Sequence, residues 1–104
     1  MKAIILAKYA PHALKGLISG SDREAAGKKL MDSVGGSVDQ IAFVRGKYDI
    51  MVRVEVKDQE TAIGLVLAIK ASGTCDQVDY LEEVNIARIV QAAQTASSAY
   101  APAG

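Results

Sequence analysis

At 104 residues, half of them hydrophobic, the chain has the size and composition of one globular domain, neither fibrous nor disordered. Twelve Lys and Arg balance twelve Asp and Glu, so the concentrated positive field that nucleic acid or an anionic membrane attracts is missing, and neither partner is expected. One cysteine, Cys75, permits no internal disulfide, and the apolar runs at residues 3–7 and 62–69 are too short for a signal-peptide core or a bilayer span, so a soluble cytoplasmic protein is expected.

Residues 2–9 are rich in β-formers, and Pro11 removes a ladder donor just beyond them, which predicts a first strand. Leu14, Leu17 and Ile18 fall at helical spacing, but Gly16 and Gly20 weaken a long helix, so residues 10–20 predict a short helical turn. Ser21-Asp22-Arg23-Glu24 reads as a capping box, with Ser21 accepting from the amide three residues on and Glu24 reaching back. The helix it opens turns Ala26, Leu30 and Val34 inward, keeps Arg23, Lys28, Lys29 and Asp32 mostly off that face, and ends at Gly35-Gly36. Residues 37–56 predict a β-hairpin turning at Gly46-Lys47, where the glycine can take positive φ. In its second arm Ile50, Val52, Val54 and Val56 alternate with Asp49, Met51, Arg53 and Glu55, giving one aliphatic and one mixed face. Strict alternation in the first arm groups Ile41 and Phe43 with Asp39 and Arg45, on the mixed side with Met51, and sets Val38, Ala42 and Val44 opposite with Gln40. Asp58 can cap a second helix from Gln59 to about Ser72, apolar at Ala62, Ile63, Val66, Leu67 and Ile69 and closed by Gly73. Residues 77–84 predict a fourth strand, and residues 86–98 a final amphipathic helix with Ile86, Ile89, Val90 and Ala93 inward, before a frayed tail at 101–104.

This order is the βαββαβ pattern of the ferredoxin-like α+β sandwich with a four-stranded antiparallel sheet, here of the dimeric α/β-barrel type. Residues 1–84 form that domain, and residues 85–104 add a C-terminal helix and flexible tail. Both main helices cover one sheet face. The other face, with Met51, Ile41 and Phe43 among charges, is too apolar for solvent and too polar for a sealed core. A homodimer or higher oligomer, in which two such faces meet around a partly polar space, is therefore expected.

Gly46-Lys47-Tyr48-Asp49 carries two readings. A Gly turn, an aromatic entering the next strand and an Asp accepting backbone amides are what a hairpin needs simply to hold its shape. Alternatively, the Tyr48 hydroxyl and Asp49 carboxylate bind a small polar metabolite or anion with Arg45 and Arg53, Lys8 and His12 completing the wall. Arg53 can equally pair with Asp49 or Glu55. His12 is the sole imidazole, either a general acid or base or an exposed loop residue. Cys75 has no evident positive neighbour and reads as a small half-buried thiol rather than a nucleophile. Asp76, Asp79, Glu82 and Glu83 lack the loop spacing of a calcium site and read as a solvated edge. Phosphate-loop, nucleophile-elbow and zinc signatures are missing from the sequence, and neither a metal nor a cofactor is expected.

A strand ending near Tyr9, then Leu14-Lys15-Gly16-Leu17-Ile18, Arg23 opening a helix that ends at Gly35-Gly36, Phe43, Gly46-Lys47-Tyr48-Asp49 and Ala71-Ser72-Gly73 follow one another in an order that resembles the GYD domain family. These are small stand-alone bacterial and archaeal proteins, largely without assigned function. The resemblance runs from about Ala3 to Val84, with Lys47 inserted into the Gly-Tyr-Asp signature. The hairpin is also similar to the ligand-sensing domains of the leucine-responsive regulator family, which bind amino acids at subunit interfaces; that likeness implies binding without catalysis for Gly46, Tyr48 and Asp49. More distantly, dimeric α/β-barrel monooxygenases and isomerases share the architecture. The expected function is a homo-oligomeric binding module. The alternatives are an enzyme of the barrel kind, with His12 or Asp49 as proton acceptor in an interface cavity, and a structural assembly module without a ligand.

Overall fold

The computed structural model describes residues 1–103. Its elements run β1 (Lys2–Tyr9), α1 (Pro11–Ile18), α2 (Arg23–Ser33), β2 (Ser37–Phe43), β3 (Ile50–Glu55), α3 (Gln59–Ala71), β4 (Cys75–Glu82) and α4 (Ile86–Ala99). The strands form one antiparallel sheet in the order β2-β3-β1-β4, so β1 and β3 occupy its centre. This is the expected ferredoxin-like α+β architecture. Alternate residues of β1 (Ala3, Ile5, Ala7, Tyr9) are buried with Ile50, Val54 and Val78 beneath α2 and α3, which contribute Met31, Ala62, Leu65 and Val66. The opposite face of the sheet carries Ile4, Leu6, Met51 and Leu81, and among the described residues no helix packs on it.

Several local expectations change. Pro11 stands at the first position of α1, where its missing N–H costs nothing and its fixed φ suits the helix, so residues 11–18 are a helix rather than a single turn. Asp22, not Ser21, caps α2: its carboxylate accepts the Ala25 amide at 3.0 Å, while Ser21 Oγ accepts from Arg23 Nε at 3.1 Å. The buried residue of α2 is Met31, with Leu30 and Val34 partly buried and Ala26 exposed. On α3 the inward residues are Ala62, Leu65 and Val66, whereas Ile63 and Leu67 face outward. β4 opens at Cys75, two residues earlier than the sequence indicates.

The largest correction concerns β2. Its pairing with β3 shifts between Val38 and Gln40, so Asp39 is an extra residue and the alternation changes phase. Ile41 pairs with Val52 and Phe43 with Ile50, which puts both on the helix side; Gln40 and Ala42 take the open face beside Arg53 and Met51. Just before β2, Gly36 lets the chain pass against the end of β3, where a Cβ would lie 2.9 Å from the Glu55 carbonyl oxygen and 2.7 Å from Met31 Cε.

Helix α4 buries no residue. It stands off the body and stretches the molecule to 59 × 32 × 22 Å, with a radius of gyration of 17.6 Å against about 13 Å for a compact chain of this length. The expected inward stripe of Ile86, Ile89, Val90 and Ala93 is therefore exposed. Residues 101–103 are irregular and exposed, and Gly104 of the expected tail lies outside the described residues. No helix among the described residues is long and apolar enough to cross a membrane.

Candidate functional site

The Tyr48-Asp49 pair is tied into its own sheet. Tyr48 lies in the connection entering β3, and its hydroxyl donates to Asp79 Oδ2 on β4, an oxygen that also accepts from Gln77 Nε2 at 2.9 Å. That bond raises the Tyr48 phenol above its ordinary 10.0 and holds the Asp79 carboxyl below its ordinary 3.8. Asp49 continues the pairing of β3 with β1 past Ile50: its amide donates to the Ala7 carbonyl at 2.9 Å and its Oδ2 accepts the Tyr9 amide at 2.9 Å. Its own carbonyl accepts the Val44 amide at 2.9 Å and closes the hairpin around Gly46, which has φ +137°. Arg53 crosses β1 on the open face to Glu83, with Nε and Nη2 at 3.2 and 2.5 Å from the carboxylate oxygens, rather than pairing with Asp49 or Glu55. Lys8, on the open face in register with Gln77, is exposed, as are Arg45 in the hairpin loop and His12 on α1; none of the three has a side-chain partner among the described residues.

Of the acidic residues of β4, Glu82 is engaged like Asp79, while Asp76 is exposed. Glu82 accepts from Gln59 Nε2 at 2.5 Å and from the Tyr80 hydroxyl at 2.9 Å, and burial with that bond pushes the Tyr80 phenol up to about 12. No cluster of His, Cys, Asp and Glu suited to a metal ion forms among the described residues.

A second site lies on the helix side of the sheet. α2 leans on β2 and α3 on β4; the two helices share the core cluster of Met31, Ala62 and Leu65, and the central strands stay partly uncovered between them. Small residues deepen the gap: Ala7 on the floor, Ala26 and Gly27 on α2 and Ala68 on α3. The result is an apolar cleft of about 320 Å³, floored by Ile5, Ile50 and Val52 and walled by Leu30, Leu65 and Ile69. None of Lys8, His12, Arg45, Tyr48, Asp49 and Arg53 lines it.

Polar groups gather at one end of this cleft, where Tyr9 of β1 pairs with Cys75 of β4 and Arg23 opens α2. Arg23 is half-buried, held through Nε by Ser21, and has no carboxylate within 4.0 Å among the described residues. Tyr9 is 5% exposed, and its hydroxyl has no hydrogen-bond partner among the described residues. Burial pushes the Tyr9 phenol and the Cys75 thiol up, while Arg23 pulls both the other way. Arg23 is thus the cationic neighbour of Cys75 that spacing did not reveal, yet burial outweighs it, and the thiol stays protonated near neutral pH. The end of the cleft offers a guanidinium, a neutral phenol and a neutral thiol, groups that donate hydrogen bonds rather than attack a substrate. The sequence reading placed Arg23 mostly off the apolar face of its helix and gave it no binding role. The available signal was Gly27, one helical turn further on and on the same face as Arg23.

No curated protein matches the chain. Residues 4–93 match the family model of the GYD domain. Among solved structures, FFRP-DM1 aligns with a TM-score of 0.55 at 21% identity, over 80% of this chain and 97% of that one. MtbAldR aligns with a TM-score of 0.59 at 17% identity over 81% of this chain, which spans only 52% of MtbAldR. The hypothetical protein PHS023 from Pyrococcus horikoshii gives 0.53 at 16% identity, covering 81% and 89% of the two chains. At such identities the likeness is one of fold.

Proposed function

The chain belongs to the GYD domain family, and we propose that it is a self-associating binding module that holds a small molecule in the cleft between α2, α3 and the sheet. The observation that carries this reading is the cleft itself: space of about 320 Å³ lined mainly by aliphatic side chains, with a few polar groups converging at one end. Gly27 supports it. A glycine inside an 11-residue helix costs about 1 kcal/mol relative to alanine, and here no atom lies within 4 Å of where a Cβ would be. Packing therefore does not call for glycine at this place; what the missing side chain leaves is room in the cleft. Tyr48, Asp49 and Arg53 serve in this reading as braces of the sheet, and a second copy of the chain covers the open sheet face.

The test is thermal shift with aromatic and branched aliphatic compounds, neutral and anionic, of up to about a dozen non-hydrogen atoms, the size a cleft at the small end of ligand pockets admits. At least one compound is expected to raise the unfolding midpoint in proportion to its concentration. Gly27→Leu is expected to abolish that response while keeping or raising the midpoint of the free protein, since the new side chain fills open space and favours the helix. A flat response across the panel, or a response that Gly27→Leu leaves intact, would overturn the reading.

A further inference from the structure

We infer that the cleft selects a compact monoanion, its apolar body lying on Ile5, Ile50 and Val52 and its carboxylate-like head held by Arg23 and the Tyr9 hydroxyl. This rests on the cleft being the binding site proposed above and adds the class of molecule it takes. Two independent features carry it. First, the Arg23 guanidinium is fixed by its Nε bond to Ser21 Oγ at 3.1 Å, which leaves both terminal nitrogens without a partner among the described residues, and half-buried cations at the mouth of an apolar cleft are rarely left unpaired. Second, Tyr9 is 95% removed from solvent and lines the same end of the cleft, and its hydroxyl, which keeps access to solvent and has no acceptor among the described residues, is free to donate to a ligand head.

The charge of the ligand follows from the surroundings. Asp49 and Asp76 are the carboxylates whose field reaches this end of the cleft, and Asp49 is held in place by the Tyr9 amide. They oppose a second negative charge, and the aliphatic floor has nothing to solvate one. A molecule with one anionic head and an apolar body matches both ends; a nucleotide or a dicarboxylate does not.

Isothermal titration with 4-ethylbenzoate and 4-ethylbenzamide, equal in shape and different in head charge, isolates the claim. The wild-type protein is expected to bind the benzoate roughly tenfold or more tightly than the benzamide, the worth of a charge-assisted hydrogen bond. Arg23→Gln should bring the benzoate down to the benzamide's affinity and leave the benzamide unchanged, and Arg23→Lys, which keeps the charge but loses the fork, should recover part of the difference. Tyr9→Phe should weaken the benzoate several-fold with the ring still packed, circular dichroism confirming that each variant is folded. Equal affinities for the two compounds, both abolished by Gly27→Leu, would overturn the monoanion and leave the cleft standing as a binding site. Binding of neither compound by the wild-type protein would overturn both.

Discussion

Asp49 shows how a residue suited to binding a ligand can be used up by the fold. Its carboxylate accepts the Tyr9 amide at 2.9 Å at the point where β1 runs out of backbone partners on β3, so the side chain stands in for a carbonyl that the strand does not supply. Removing it leaves a half-buried N–H unpaired, and Asp49→Ala is expected to lower stability by about 1–3 kcal/mol in urea denaturation. Asp49→Asn keeps an acceptor oxygen and should lose clearly less; equal losses for the two would show that the bond contributes nothing. The sequence displayed Tyr48 and Asp49 plainly, since a Gly turn followed by these residues has only two sensible uses, and bracing was one of them. Arg23 was not legible in the same way. One of three cations on α2 becomes special only because a cleft opens between α2, α3 and the sheet beside it, and no local pattern records how two helices sit over a sheet.

At the scale of elements, order and type follow from hydrophobic period and from caps such as Asp58, whose carboxylate accepts the Thr61 amide at 2.8 Å, while faces are less secure. In β2 one additional residue at Asp39 is enough to carry Ile41 and Phe43 from the expected open face to the helix side, because a period of two has no memory of phase across a bulge. Between Ala62 and Ile69 of α3 every residue but Gly64 is apolar, so periodicity cannot decide between Ile63 and Leu65; the sheet decides, and Leu65 is 3% exposed where Ile63 is 50%. The same ambiguity affects α4, whose apolar stripe has the right spacing and nothing beneath it. Because it buries no residue in the domain, deleting residues 86–104 is expected to shift the melting temperature by no more than about 4 °C and to leave the far-ultraviolet signature of the sheet intact. A collapse of the fold on deletion would contradict the isolated position of α4.

For the whole molecule, the sheet separates two surfaces that the chain treats differently. The helix side closes over its aliphatic residues except at the cleft, whereas the open side leaves Ile4, Leu6 and Met51 half-buried and Leu81 half exposed, in rows that run from Ala42 through Met51 and Leu6 to Asp79. Ion pairs frame this strip at one end, Lys2 with Asp39 and Glu55 and Arg53 with Glu83, so it is apolar in the middle and charged at the rim, the pattern of a surface that meets a protein rather than water. In the proposed reading a second copy supplies such a surface by symmetry. The bulge at Asp39 sharpens the test, because it sorts two hydrophobic residues of neighbouring strands onto different sides. Met51→Asp places a charge in the middle of the strip and is expected to halve the mass of a dimer in light scattering while the domain stays folded. Phe43→Asp alters a half-exposed residue on the helix side and should leave the mass unchanged. The reverse result, assembly lost with Phe43 and kept with Met51, would move the interface to the helix side of the sheet and put the cleft inside it.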